Sequence, residues 1–403
     1  MSLTRQPAAD VARVLARVLR SRRPAADEIA ALASPAHVHR ILVIKIHDQL
    51  GDLLVATPAL SALRERYPAA LITLVVRAFL APLARRIPDV DEVVVLPRVA
   101  DPADALAFAL AAGDVLTIRP ELCVVLNSVS RSKTGDALAV LARPGVIVGR
   151  SVIGHGPLPD IASATTDRDP VYDVDAGIQP RSDHQTERLL DLVRWTGADA
   201  DATRLRLVVR EAGQVAGRER LESAWRASLG SKIAGQAPGR VRWIGIHPGA
   251  ANPEKCWPLE RFVALGLAIV RGAAPGEERR LVVFDAPRER GRATAVHAGL
   301  LVGGVDAAFI PAGPLDDFIE CAPSLDLLVC NDSGVMHIAA ALGVPTVSFH
   351  ALGRPAEWAP RNAASTAFYE DRAIASIPVE PAIAAAQRAL ELKAPDPGAR
   401  SGA

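Results

Sequence analysis

Short apolar runs alternate along this chain with stretches whose apolar residues recur every three or four positions. Residues 39–46 (HRILVIKI) read as a buried parallel strand. A loop follows, then a helix with Leu53, Ala56, Leu60 and Leu63 on one face and Arg64, Glu65 and Arg66 outside. Thr57-Pro58 either kinks that helix or opens a new turn with proline near its start. Further strands are predicted at 71–76, 93–96 and 122–126, with helical stretches between some of them. Residues 151–183 are loop-like, 184–197 helical, and 206–209 a short strand. After a polar helix at 211–228 the alternation restarts. Strands are predicted at 241–246, 281–284, 308–310, 327–330 and 344–349, and helices at 258–271, after Pro287, at 335–342 and at 380–392.

Strand and helix in alternation, twice over, predict an α/β protein of two Rossmann-like doubly wound domains. The boundaries are an N-terminal helical extension at 1–38, one domain at 39–210, a second at 211–378, a C-terminal helix at 379–393 packing back on the first domain, and a mobile tail at 394–403. Ligands of open α/β sheets bind outside the carboxyl ends of the strands. The domains are therefore expected to face one another across a cleft. Three loops reach it: 47–52, 247–257 and 331–334.

Composition narrows the partners. With 46 basic and 45 acidic residues the net charge is +1. No whole-molecule field favours nucleic acid, and an anionic ligand needs a local site. Cys123, Cys256, Cys321 and Cys330 have no metal-ligand spacing and suit a reducing compartment. Arg5, Arg13, Arg17 and Arg20 interrupt any signal-peptide core, so the expected location is cytoplasmic, at most peripheral at the inner membrane. Residues 10–32 read as a basic amphipathic helix that can touch an anionic membrane surface, or as a loosely docked extension. The second reading is favoured, since short termini are rarely tied down.

The loops carry the chemistry. In the first, Asp52 stands at a helix start, as a capping carboxylate or as a general base that accepts a hydroxyl proton. His47 is a rival base and Asp48 a second acid. In the second, Lys255 suits a phosphate and Asn252 can add a hydrogen bond, whereas Trp257-Pro258 looks structural. In the third, Asn331-Asp332-Ser333-Gly334 runs into a helix whose first amides can hold an anion, with His337 one turn in. A helix terminus contributes ~0.3–2 kcal/mol. A lysine 4 Å from a phosphate oxygen contributes roughly 4 kcal/mol at an effective dielectric near 20. Lys255 is thus expected to dominate. Asp173-Val174-Asp175 and Asp199-Ala200-Asp201 resemble metal-binding pairs but fall away from the strand ends, so neither metal nor cofactor is expected. No G-x-G-x-x-G follows either first strand, which argues against a dehydrogenase.

In order, ILVIKIHDQLGDLLVATPALSALRERYP, IGIHPGAANPEKCWPLERF and VCNDSGVMHIAAALGVPTVSF resemble glycosyltransferase family 9, the ADP-heptose:lipopolysaccharide heptosyltransferases. The likeness spans roughly residues 39–360. It implies a GT-B fold, with an acceptor domain first and a nucleotide-sugar donor domain second. It implies inverting, metal-independent transfer of a sugar, a heptose from ADP-heptose, onto a glycolipid or oligosaccharide acceptor such as lipopolysaccharide core. By position Asp52 matches the catalytic base and Lys255 a diphosphate-binding lysine. Asp332 matches a residue near the donor sugar, Ser333 and Gly334 match backbone contacts to the diphosphate, and Glu289 matches a ribose-binding glutamate. The chain departs from the family at His47-Asp48-Gln49, at Ala250-Ala251 and at His350–Pro355, and in its long N-terminal extension. A GT-B-fold epimerase and an inactive nucleotide-sugar-binding subunit are the alternatives.

Overall fold

The computed structural model describes residues 11–20, 24–47, 49–99, 102–151, 169–175, 183–230, 239–287 and 291–392. The chain divides into two compact units, Met1–Ala202 and Thr203–Ala403.

Unit 1 is built on parallel strands β1 (Arg40–Ile44), β2 (Leu71–Arg77), β3 (Glu92–Leu96), β4 (Leu122–Val125), β5 (Val146–Gly149) and β6 (Val174–Asp175), in the order β3-β2-β1-β4-β5-β6. Its helices are α1 (Val11–Leu19), α2 (Ala26–Leu32), α3 (Leu50–Leu54), α4 (Thr57–Arg66), α5 (Ala81–Ala84), α6 (Pro102–Ile118), α7 (Lys133–Leu141) and α8 (Gln185–Arg194). β1 and β4 are central, and β4 is buried along its whole length, as its unbroken LCVV run requires. From β1 the chain winds outward through β2 and β3. It then returns to the other side of β1 with β4. The carboxyl ends of β1 and β4 therefore flank the switch point of this sheet.

Unit 2 repeats the plan. It comprises α9 (Glu211–Leu229), β7 (Arg240–His247), α10 (Leu259–Arg271), β8 (Glu277–Phe284), α11 (Arg292–Val302), β9 (Ala307–Ile310), α12 (Leu315–Cys321), β10 (Leu327–Asn331), α13 (Gly334–Ala341), β11 (Thr346–His350), α14 (Pro355–Trp358), β12 (Thr366–Tyr369) and α15 (Val379–Leu392). The order β12-β11-β10-β7-β8-β9, again parallel, puts the switch point between β7 and β10. Trp257 stacks on Phe349 at 3.8 Å, and Phe262 meets both rings edge-on.

Several expectations need correction. The helix foreseen over 10–32 is two helices, α1 and α2. Thr57 opens a separate helix, with Pro58 in its first turn. Residues 206–209 form no strand. β5, β6 and β12 were not foreseen. β6 has two residues and the β12 strand is half-buried throughout, so neither gives a strong apolar run. α15 does not leave its unit: Ala382, Ala385, Ala386 and Ala389 bury against the core of unit 2, with α10 as neighbour. α1 is not loose either. Ala12 and Ala16 are buried on it, Arg13 pairs with Asp169 at 2.9 Å, and Arg20 pairs with Asp173 at 2.5 Å.

Candidate functional site

In unit 2 the loops after β7 and β10 meet at the switch point, and Asn331 joins them. Its Nδ2 donates to the carbonyls of Pro248 (2.8 Å) and Gly249 (3.3 Å), and its Oδ1 accepts from the Trp257 N–H (2.9 Å). Arg292 adds a second tie, donating to the Pro248 and Trp257 carbonyls at 3.0 and 2.7 Å. Trp257 is anchored below by its stack on Phe349 and by its Nε1–H donating to Ile377 O at 3.0 Å. The loop is thereby a fixed frame, and Lys255 stands on it.

Lys255 Nζ donates to Asp332 Oδ2 at 2.6 Å. The lysine is 28% exposed and the aspartate 9%. One of three ammonium hydrogens is thus engaged, and the other two remain for a ligand. Asn252 does not reach outward with its side-chain oxygen; it accepts from the Glu254 N–H at 3.0 Å and caps the short turn that presents Lys255. Ser333 precedes α13 in an extended conformation, yet its side chain caps nothing, and its Oγ is buried without a partner. Gly334 opens α13, whose first amides have no intrahelical acceptor. His337 is buried on the same helix, edge-on to Trp358. Glu289 lies outside the described residues.

Two neighbours were not singled out beforehand. His350 Nδ1 lies 3.9 Å from Asp332 Oδ1, while its Nε2 pairs with Ser348 Oγ at 2.9 Å. Burial lowers its pKa, and Lys255 adds to that effect, outweighing the pull of Asp332 toward the charged form. Gly353 passes so close that a Cβ there would stand 2.7 Å from Asp332 Oδ2. A backbone pressed against a carboxylate is the signal that marks this glycine, and it is invisible in a linear pattern.

In unit 1 Asp52 is the third residue of α3, and Gln49 occupies the cap position. The capping role is therefore excluded. Asp52 is buried, 4% exposed, and its Oδ1 has no hydrogen-bond partner. Lys45, 1% exposed at the carboxyl end of β1, feels the charge of Asp52. Burial nonetheless lowers the Lys45 pKa. His47 Nε2 lies 2.9 Å from both Ser130 O and Ser130 Oγ, so this nitrogen ties the loop after β1 to the loop after β4. Asp48 lies outside the described residues.

The aspartates of the metal-like motifs do structural work. Asp173 accepts from the Ile147 N–H at 2.8 Å and pairs with Arg20, Asp175 holds Ser151, and Asp199 pairs with Arg194 at 3.0 Å. Among the described residues no group of His, Cys, Asp and Glu could hold a metal ion. What the two units offer is a fixed ammonium, a helix N-terminus and a free hydroxyl in one, and a buried, under-bonded carboxylate in the other.

The chain is similar to proteins already described. The model of Glycosyltransferase family 9 (heptosyltransferase) matches residues 195–376. The chain is 24% identical over 311 residues to lipopolysaccharide heptosyltransferase 2 of Escherichia coli K12, covering 76% of this chain and 81% of that protein. The glycosyl transferase family 9 structure from Veillonella parvula superposes with a TM-score of 0.70 at 19% identity, over 88% of this chain and 98% of that one. The ADP-heptose lipopolysaccharide heptosyltransferase II of E. coli gives 0.64 at 18%, over 87% and 98%. An E. coli heptosyltransferase solved with ADP gives 0.63 at 17%, over 87% and 99%. These likenesses establish the GT-B fold.

Proposed function

We propose, from the match of residues 195–376 to the model of glycosyltransferase family 9 (heptosyltransferase), that the chain is an inverting, metal-independent transferase moving a heptose from ADP-heptose to a lipopolysaccharide-core or other surface-glycan acceptor. The supporting observation is the Lys255–Asp332 pair at 2.6 Å on the switch point of unit 2, beside the unpartnered Ser333 hydroxyl. Two free ammonium hydrogens, that hydroxyl and the first amides of α13 suit the oxygens of a diphosphate. Asp332, already charge-balanced by Lys255, suits the hydroxyls of the donor sugar. Similar structures bear on the donor: one heptosyltransferase was solved with ADP, and another is an ADP-heptose enzyme.

Inversion then needs an acceptor hydroxyl to attack the anomeric carbon opposite the diphosphate while a base takes its proton. Asp52 fits that role, because a buried carboxylate oxygen with no partner is ready to accept a hydrogen bond. The leaving diphosphate gains charge as the bond breaks, and Lys255 offsets that charge without a metal ion. Glu289 and Asn252 are assigned to the donor's ribose and to shaping the Lys255 turn. His337, buried on α13 and edge-on to Trp358, packs that helix in place.

Asp52→Asn should lower kcat by about 10²–10⁴-fold with ADP-heptose affinity unchanged; retained turnover would remove Asp52 from the mechanism. The enzyme is placed on the cytoplasmic side of the inner membrane. Among the described residues no helix is long and apolar enough to cross a membrane. α1 turns Val14, Arg17 and Val18 outward, which fits peripheral contact with an anionic surface. Co-sedimentation with phosphatidylglycerol vesicles should fall when Arg17 and Val18 are replaced by Glu and Ser.

A further inference from the structure

Sheets A and B, the sheets of units 1 and 2, share one strand order. In unit 2 the chemistry occupies both sides of the switch point, the loop after β7 and the loop after β10. In unit 1 only one side, the loop after β1, has so far been given work. Its counterpart is the segment 126–132, after β4. Backbone bonds bring the two together: the Leu126 N–H donates to Ile44 O at 3.0 Å, and His47 reaches Ser130. The far end is pinned by Arg131, which pairs with Asp136 at 2.5 Å and Asp169 at 2.6 Å.

Asn127 and Ser128 open this segment, and both are buried. Neither Asn127 Nδ2 nor Ser128 Oγ has a hydrogen-bond partner, and across the switch point Asp52 Oδ1 has none either. A buried polar atom left dry and unpaired is destabilising, and these three stand in the two segments that leave the carboxyl ends of the paired strands β1 and β4. The missing partners are what a ligand supplies.

We propose that Asn127 and Ser128 complete, with Asp52, a subsite that holds the acceptor's terminal sugar; this rests on the transferase reading above. Asn127 and Ser128 hold the ring through hydroxyls next to the reacting one. An amide and a hydroxyl beside a carboxylate make an edge rich in single hydrogen bonds. That suits a neutral polyhydroxylated sugar. A phosphate or carboxylate placed here would face Asp52.

The test uses the full chain with ADP-heptose and de-acylated core oligosaccharides ending either in a neutral heptose or in an acidic 3-deoxy sugar. Asn127→Ala and Ser128→Ala should each raise the acceptor KM about tenfold, the factor carried by one hydrogen bond. Donor affinity should stay within about twofold, and the melting temperature should not fall, because no protein partner is lost. Turnover should favour the heptose-ended acceptor. An unchanged acceptor KM in both alanine variants, or turnover of the acidic acceptor alone, would overturn the subsite. So would donor binding with no oligosaccharide bound or glycosylated. If wild-type protein does not bind ADP-heptose, the transferase reading itself fails, a separate result.

Discussion

Lys255 and Asp332 define one another. Singly, a lysine in a loop or an aspartate before a helix is ordinary. At 2.6 Å, with the lysine still reachable by solvent, they are a charged pair with spare hydrogen-bonding capacity. Lys255→Ala should lower kcat/KM by about 10²-fold, as expected if ~3 kcal/mol of its attraction develops with the leaving group's charge. It should also leave Asp332 buried without its cation, so the Lys255→Ala, Asp332→Ala double variant should cost less than the sum of the singles; a strictly additive cycle would dissolve the pair. Gly353→Ala offers an independent probe. Its Cβ would stand 2.7 Å from Asp332 Oδ2 and must displace that carboxylate. Calorimetric titration with ADP-heptose should show weaker binding although no ligand-facing group has changed. Lys255, Asp332 and Asp52 could be picked out in the sequence by residue type and loop, and the structure brings Lys255 and Asp332 into contact. The roles of Gly353 and His350 and the ties of Asn331 were not legible there, because they lie in approaches of backbone and side chain across 18 to 83 positions.

Elements explain the rest of the site's rigidity. α1 looked like a loose extension because its apolar stripe is short and its neighbour is polar. It is held by distant carboxylates, Asp169 and Asp173, that no local pattern connects to it. Burial alone would raise the Asp169 pKa, but hydrogen bonds from Arg131, the Val171 N–H and Arg13, with the charge of Arg131, outweigh it and hold the carboxyl below its ordinary value. The sign follows. Stabilisation is complete above the ordinary carboxylate range near ~3.9 and is lost as pH falls through the lowered folded value. Asp169→Asn should therefore reduce α1 hydrogen-exchange protection by about 1 kcal/mol at neutral pH. The gap from wild type should close in acid. A gap independent of pH would mean that the carboxylate's charge is not what docks α1.

At the scale of the molecule, two units with one topology carry different chemistry at equivalent edges. Unit 2 presents cations and amides, which suit a leaving diphosphate. Unit 1 presents a buried carboxylate with an unpartnered oxygen, which suits a hydroxyl nucleophile. ADP-heptose at a hundred times its Kd should add ~2.7 kcal/mol to the unit that binds it, moving the melting transition by about 5–10 °C for a unit of this size. ADP-sugars should exceed GDP-, UDP- and dTDP-sugars in this shift, and Lys255→Ala should abolish most of it. An equal shift from every nucleotide would argue that the base is not read.

The linear pattern by itself determined the fold class, most strand positions and the three loops, because buried parallel strands are continuous apolar runs and loops at their ends carry their polar residues in plain order. It could not determine strand order, and so it missed that the segment after β4 shares a switch point with Asp52. Nor could it tell a capping aspartate from a buried one, or send α15 to the right unit, since an alanine-rich face fits many partners equally well. Those choices belong to the tertiary structure, where long-range packing and hydrogen bonds decide which of several locally acceptable arrangements leaves fewest groups unsatisfied.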